Sequence, residues 1–462
     1  MKSRALPKVL HGFAGRTLLG HILAAAEPLD AERTLVVVGH RREAVIEHLR
    51  EIAPSAAPVV QEQQNGTGHA VRLALEAVAD TAAGTIVVVP GDTPLLTGDV
   101  LATLVAEHLT TGAAATLLTS VVADPTGYGR VVRASDGTVA KVVEHKDATP
   151  DERAIVEIAT SVYAFDHALL RKAVGKLTNE NAQGEEYLPD VVGILAADGH
   201  RIGAVVAPQE TTAGVNDRVQ LAAAHRAYNT RLLEAHMRAG VTVVDPLTTW
   251  IDADVTLEPD ATLWPSVALH GATHIGAGAS IGPQVTLTDT TVGAETCIAH
   301  TVAVQARVGA NVTIGPFAYL RSGTVLADGV HIGTYVELKN TEVGEGTKIP
   351  HLTYAGDATI GEHSNIGAAT VFVNYDGVEK HRTVIGSHVR TGADNMFVAP
   401  VEVGDGAYTA AGSVITEDVP PGALGIARAQ QRNVAGWVAR KRRGTPAAEA
   451  AERALEEKEE DS

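Results

Sequence analysis

The chain has 462 residues, room for two or three domains with a substantial core; 45% are apolar, yet only 4% are aromatic. Fifty-five acidic against 37 basic residues leave a formal charge of −18, without the basic balance of a nucleic-acid binder. A single cysteine, Cys297, excludes an intrachain disulfide and a cysteine-based zinc cluster. No apolar run reaches membrane-span length and no apolar leader follows Lys2 and Arg4, so the cytoplasm is the expected compartment.

In chain order, "PKVLH" (Pro7–His11) comes first, then "RTLLGHILAAA", which reads as a helix although such a helix is ordinarily fed by a strand and a turn. "TLVVVG" (Thr34–Gly39) and "GTIVVVP" (Gly84–Pro90) are short β-branched runs, expected as buried parallel strands. Between them, residues 41–51 and 69–79 carry a helical period. This alternation predicts a doubly wound α/β domain over residues 1–217. Residues 218–240, rich in Ala, Leu and Arg, predict a linker helix.

The pattern then changes. Ile/Val-Gly pairs recur at Ile275, Ile281, Val292, Val308, Ile314, Ile332, Val343, Ile360, Ile366, Ile385 and Val403, several of them six or eighteen residues apart. A six-residue repeat predicts a parallel β-helix over 241–426: each short strand turns one aliphatic side chain inward, and three strands close a triangular coil. The tail, 427–462, is charged and alanine-rich, expected as a frayed helix or disorder.

Several stretches occur in the order found in one family: "PKVLH", "QNGTGHA", "PGDTPLL", "GYGRV", "VVEHKDA" and "AGVNDR", then "YLRSGT", "VELKN", "PHLTYAGDA", "SNIGA", "VNYDG" and "APVEVGDGA". The chain resembles the bifunctional N-acetylglucosamine-1-phosphate uridylyltransferase/glucosamine-1-phosphate acetyltransferases over nearly its whole length. The resemblance implies a left-handed, trimeric β-helix. It also implies two reactions that yield UDP-N-acetylglucosamine for peptidoglycan precursors: acetyl transfer from acetyl-CoA to glucosamine 1-phosphate, then uridylyl transfer from UTP to N-acetylglucosamine 1-phosphate. In that family a strand and a loop L-A-A-G-x-G-T-R-M-K-S open the nucleotide site. This chain starts at the Met-Lys-Ser, so the first strand and glycine loop are expected upstream of Met1.

Nucleotidyl transfer needs neutralised phosphates and in-line placement of the attacking group. Asp92, after the run "TIVVV", is a candidate Mg²⁺ ligand, since magnesium takes few protein oxygens besides substrate phosphates. By resemblance Asn216 is the second metal contact and Lys8 a phosphate contact. In the same way Gln61, Gly66 and Thr67 meet the nucleotide, and Gly129 and Glu144 hold the sugar. The family's "E-x-N-x-G" reads "EIATS" here, so Ala159 stands where a sugar-binding Asn is usual.

An amine attacking a thioester needs a base and dipoles for the developing oxyanion. His351 in "IPHLTYAGD" is the candidate base, because imidazole titrates near neutrality. By resemblance Arg321 and Lys339 would bind the sugar phosphate, and Tyr354 and Asn365 the sugar. Asn374 and Tyr375 lie in "VFVNYDGVEKHR", which breaks the six-residue period and predicts an excursion loop reaching a neighbouring subunit, with Lys380 assisting. Ala368, Ala393, Ala411 and Arg428 match acetyl-CoA contacts; the family often has Ser at 393. Three readings stay open on the residues: both activities, acetyl transfer alone, or a non-catalytic β-helix scaffold.

Overall fold

The structure is a computed structural model that describes residues 1, 3, 6–79 and 83–460. The chain forms two compact units, Met1–Gln305 and Ala306–Ser462, so the division falls within the repeats.

In the first unit the sheet order is Ile202–Val206, Ala115–Val121, Glu157–Asp166, Arg130–Arg133, Val139–Val143. The run at 84–90 forms the strand Thr85–Val88, but it pairs antiparallel with Tyr163–Asp166 where a parallel partner was expected. An apolar run encodes burial, not direction, and here the ten-residue strand Glu157–Asp166 runs against its neighbours. Leu35–Val38 does pair in parallel, with Ala57–Val60, as a separate ribbon. Helices Leu18–Ala26, Arg42–Ile52, Thr67–Glu76 and Gly98–Thr111 cover the strands through residues such as Leu18, Leu49, Leu101 and Leu104, each at most 1% exposed.

The helix expected at 218–240 spans Arg218–Arg238, opened by the Asp217 carboxylate, which accepts from the Gln220 N–H at 2.8 Å. Its buried Asn229 amide donates to the Thr249 carbonyl (2.8 Å), and the amide oxygen accepts from the Ile251 N–H (2.9 Å). One side chain thus seats the helix on the first coil. Arg16 pairs with Asp254 on the same coil. From there the strands Thr242–Val243, Thr262–Leu263, Ser280–Ile281 and Cys297–Ile298 stack in parallel.

The second unit continues in coils. Arg307 pairs with Val325 and Tyr319 with Glu337, steps of eighteen; Glu337 then pairs with Tyr354 and Tyr354 with Val371, steps of seventeen. Val371 pairs with Met396, a step of 25, and the extra length is the excursion expected from "VFVNYDGVEKHR". Each of the eleven aliphatic residues picked out by the repeat, in both units, is 4% exposed or less. Buried threonines tie the corners: Thr324 Oγ1 donates to the Arg321 carbonyl (2.7 Å) and Thr341 Oγ1 to the Lys339 carbonyl (2.9 Å). This parallel curled sheet is consistent with a left-handed β-helix of hexapeptide repeats. The tail is helical over Trp437–Lys441 and Pro446–Glu460, the helical alternative its composition allowed, since alanine favours a helix even without a core.

Candidate active sites

Three clusters in the first unit gather the residues expected there. Pro7 starts a single 3-10 turn, Lys8–Leu10, that brings the Lys8 ammonium onto the Asp92 carboxylate and within 2.6 Å of Asn216 Oδ1. Asp92 follows the strand Thr85–Val88, and its carbonyl accepts from the Val215 N–H (2.8 Å), which fixes the two loops against each other. The Met1 amino group donates to the Asn216 carbonyl (2.6 Å). Lys8 therefore sits between the two candidate metal ligands. A cation held by two hard oxygens is the donor set Mg²⁺ takes when substrate phosphates complete its shell. Among the described residues, no group of three or more His, Cys, Asp or Glu side chains is placed to hold a metal.

In the second cluster Gln61 Nε2 donates to the Gly66 carbonyl (3.1 Å) and lies 3.0 Å from His69 Nδ1. Thr67 Oγ1 accepts from the Leu188 N–H (3.1 Å). Gly66 has φ +104°, and a Cβ there would stand 2.5 Å from the Glu186 carbonyl oxygen, so this glycine serves close packing within the chain.

The third cluster holds the sugar-side residues. A Cβ on Gly129 would stand 3.3 Å from Glu144 Oε1, and the Gly129 carbonyl accepts from the Ala159 N–H (2.9 Å). Burial raises the Glu144 carboxyl above its ordinary range, and the nearby Asp190 and Asp147 charges add to it. Glu144, Asp147, Tyr187 and Asp190 line a cleft of about 460 Å³. Ala159 packs into the apolar core with Tyr163 and Val142, so its side chain offers no polar contact. Sequence reading passed over Arg130, although it stands in the quoted "GYGRV": it is 1% exposed, and its guanidinium donates to the Tyr128 carbonyl and to His145 Nδ1 (3.2 Å).

In the second unit the cationic residues converge on one face of the coils. Arg321 Nη1 donates to Glu337 Oε1 (2.9 Å) and its backbone N–H to the Leu338 carbonyl (2.8 Å), one coil from Lys339. Lys339 lies beside Lys380, and that contact with a like charge lowers its pKa. Asp357 accepts from the Asn340 amide (2.7 Å) and the Asn374 amide (2.6 Å). Burial works to raise the Asp357 carboxyl, but the Asn340 and Asn374 hydrogen bonds and the Lys339 and Lys380 charges outweigh it and hold it below the usual range. A Cβ on Gly356 would stand 2.3 Å from Tyr354 Oη and 2.7 Å from Asn374 Nδ2, so the missing side chain is what lets both lie across the coil. The excursion is a tight loop: Tyr375 bridges Lys380, and Asp376 accepts from His381 Nε2 (2.7 Å) and from the Glu379 and Val378 N–H groups. These bonds, His381 first, hold the Asp376 carboxyl far below its ordinary range.

His351 ends the strand Lys348–His351 on the neighbouring face, before the Leu352 corner, and its exposed imidazole makes no hydrogen bond to another described residue. Asn365 lies on that same face, bridging Lys348 and Arg390. The chain therefore unites Arg321, Lys339, Lys380, Tyr354 and Asn374, while His351 and Asn365 stand apart from them. Ala368 and Ala393 follow one coil apart, their carbonyls accepting from the Asp394 N–H (2.7 Å) and the Gly412 N–H (2.9 Å); Ala411 and Arg428 are exposed.

An α/β domain with a Lys8–Asp92–Asn216 cluster, joined to a β-helix with a group of cationic residues on one face, fits a nucleotidyltransferase fused to an acyltransferase. Comparison with known proteins agrees: residues 1–161 match the MobA-like NTP transferase domain, and residues 305–340 match the bacterial transferase hexapeptide (six repeats). The chain is 60% identical to the bifunctional protein GlmU of Streptomyces avermitilis, over 98% of this chain and 94% of that one. With the Thermobifida fusca protein of the same name it shares 58% identity over 100% and 96%, and with that of Mycolicibacterium vanbaalenii 53% over 96% and 91%. The chain belongs to the bifunctional GlmU family, and it is an enzyme with acetyltransferase and uridylyltransferase activities. The scaffold reading is thereby set aside. No helix among the described residues is long and apolar enough to cross a membrane.

Proposed function

We propose that acetyl transfer takes place over the cradle of Arg321, Lys339 and Lys380. Arg321 and Lys339 bind the phosphate of glucosamine 1-phosphate, the first as a fork and the second as a point charge. Tyr354 and Asn374 hold the sugar ring. His351 removes the proton from the amine as nitrogen bonds to the acetyl carbon and the thiolate of CoA leaves. Ala368, Ala393 and Ala411 line the path of acetyl-CoA through backbone groups, and Arg428 meets its phosphates. Because His351 and Asn365 lie on a different face from the cradle, the base comes from a second copy, with the Tyr375–Lys380 loop closing over it. Together with the hexapeptide repeats, this leads us to assign a homotrimer.

At the other site, Asp92 and Asn216 would hold Mg²⁺, which neutralises phosphate charge when bound. Gln61, Gly66 and Thr67 position UTP. Gly129 and Glu144 orient N-acetylglucosamine 1-phosphate so that its phosphate oxygen bonds to the α-phosphorus of UTP while pyrophosphate leaves. UTP and acetyl-CoA place both reactions in the cytoplasm.

The convergence of Arg321, Lys339, Lys380, Tyr354 and Asn374 on one coil face carries this reading. Its test is steady-state acetylation, followed by free thiol. Arg321→Met is expected to raise the KM for glucosamine 1-phosphate about tenfold or more, the loss of a charge-assisted hydrogen bond. An unchanged KM removes the cradle from the acceptor site.

A further inference from the structure

We infer that Lys8 is a resident counter-ion of the nucleotidyl site: its ammonium fills the divalent-cation position between Asp92 and Asn216 and leaves it only for a nucleotide's phosphates. This rests on the assignment of Asp92 and Asn216 as metal ligands. The backbones that carry the two oxygens are held by bonds that do not involve Lys8. Asp92 is anchored through its carbonyl on the Val215 N–H (2.8 Å), and the Asn216 N–H donates to Gln220 Oε1 (2.7 Å). The lysine backbone is equally fixed. The Leu10 N–H donates to the Pro7 carbonyl (3.1 Å), Val9 packs on the cluster of Leu19 and Val38, and a Cβ on Gly91 would stand 3.4 Å from Val9 Cγ1. Only the flexible lysine stem is left to move.

Its ion pair is partly solvated, with side-chain exposures of 33% for Lys8 and 27% for Asp92. Such a pair is weak enough to be exchanged. A free divalent ion must expel the ammonium into water, with nothing to receive it. A metal–nucleotide chelate brings its own acceptor: the ion takes the two oxygens while the ammonium moves to the triphosphate. The nucleotide-free site should therefore resist bare metal, and metal and nucleotide should enter together.

Mn²⁺ binding to the full chain, read by electron paramagnetic resonance of free Mn²⁺, tests this without turnover. Without nucleotide, Lys8→Met should bind Mn²⁺ about fivefold more tightly than the parent, the strength of an exposed ion pair. The gain should persist in about 0.5 M KCl, where long-range fields are screened but direct occupancy is not. With UTP present the order should reverse, because the variant lacks the phosphate partner. An equal or weaker affinity of nucleotide-free Lys8→Met, or a gain that vanishes at high salt, overturns the proposal. Asp92→Asn in the Lys8→Met background separates the two ideas. If it leaves Mn²⁺ binding intact, the metal assignment itself is wrong. If it abolishes binding that Lys8→Met had not strengthened, only the counter-ion role is lost.

Discussion

The Arg130 guanidinium donates to His145 Nδ1 across 3.2 Å, joining the loop that carries Gly129 to the loop that carries Glu144. Because arginine only donates, this imidazole nitrogen must be the unprotonated acceptor, which fixes the His145 tautomer. Arg130 does not line the cleft, so its expected role is to position Gly129 and Glu144. Arg130→Met keeps much of the volume and removes the bonds. It should lower uridylyl-transfer kcat/KM about 100-fold, mainly through the KM for the sugar phosphate, as expected of a slight misplacement near the chemistry. Acetyl transfer is the internal control. Equal increases in the KM for UTP and sugar phosphate would point to general disruption.

His351→Ala should reduce the acetylation kcat by about 10² to 10⁴, the usual contribution of a positioned base. Pyrophosphate release by the other site should be untouched. Parental acetylation by the variant would remove His351 from the proton path.

Gly356→Ala places a methyl 2.3 Å from Tyr354 Oη and 2.7 Å from Asn374 Nδ2, where both must shift. The obstacles are side-chain ends, so the coil should survive, and only the acceptor side of acetyl transfer should suffer. The measurement is a rise of about tenfold in the KM for glucosamine 1-phosphate, the scale of one lost polar contact, with the melting temperature nearly unchanged. A strongly lowered melting temperature would mean that the glycine serves the coil instead.

His21 makes the first unit sensitive to acid. Its ring is 4% exposed, its Nε2–H donates to the Phe13 carbonyl (2.6 Å), and burial depresses its pKa to about 4. The unfolded chain, with an ordinary histidine pKa of about 6.5, takes up the proton first. The stabilisation is complete above about pH 6.5 and is lost as pH falls towards 4, by about 3 kcal/mol. Thermal melts between pH 7 and 4 should show this slope, and His21→Asn should flatten it. A parental slope in the variant would assign the acid limb elsewhere.

The repeat was readable because its rule is local: an aliphatic residue every sixth position, followed by a small one, encodes both burial and turning. Ile281, Ile332 and Ile366 were identified that way, and each is fully buried. The excursion at Tyr375–Lys380 was readable as a break in the same rule. Lys8, Asp92 and Asn216 came from motif order, and the fold brings them into contact across more than two hundred residues. Partners set by long-range packing were not legible. Asp357, which fastens Asn340 and Asn374, and Arg130 stand in the motifs "PHLTYAGDA" and "GYGRV", but nothing local to those motifs shows what either side chain meets. The antiparallel partner of Thr85–Val88 escaped for the same reason: strand direction depends on a segment some eighty residues away.

The regular stacking of the coils makes the face that carries Arg321 and Lys339 a graduated scale. Arg321 and Lys339 occupy successive rungs, with Gly356 on the next, and neighbouring strands are about 4.8 Å apart. An acceptor longer or shorter by one graduation could be matched by moving a basic side chain a single rung, leaving every inward aliphatic residue in place. In such an architecture the reach of a substrate becomes a countable quantity, set by the backbone before any side chain is chosen.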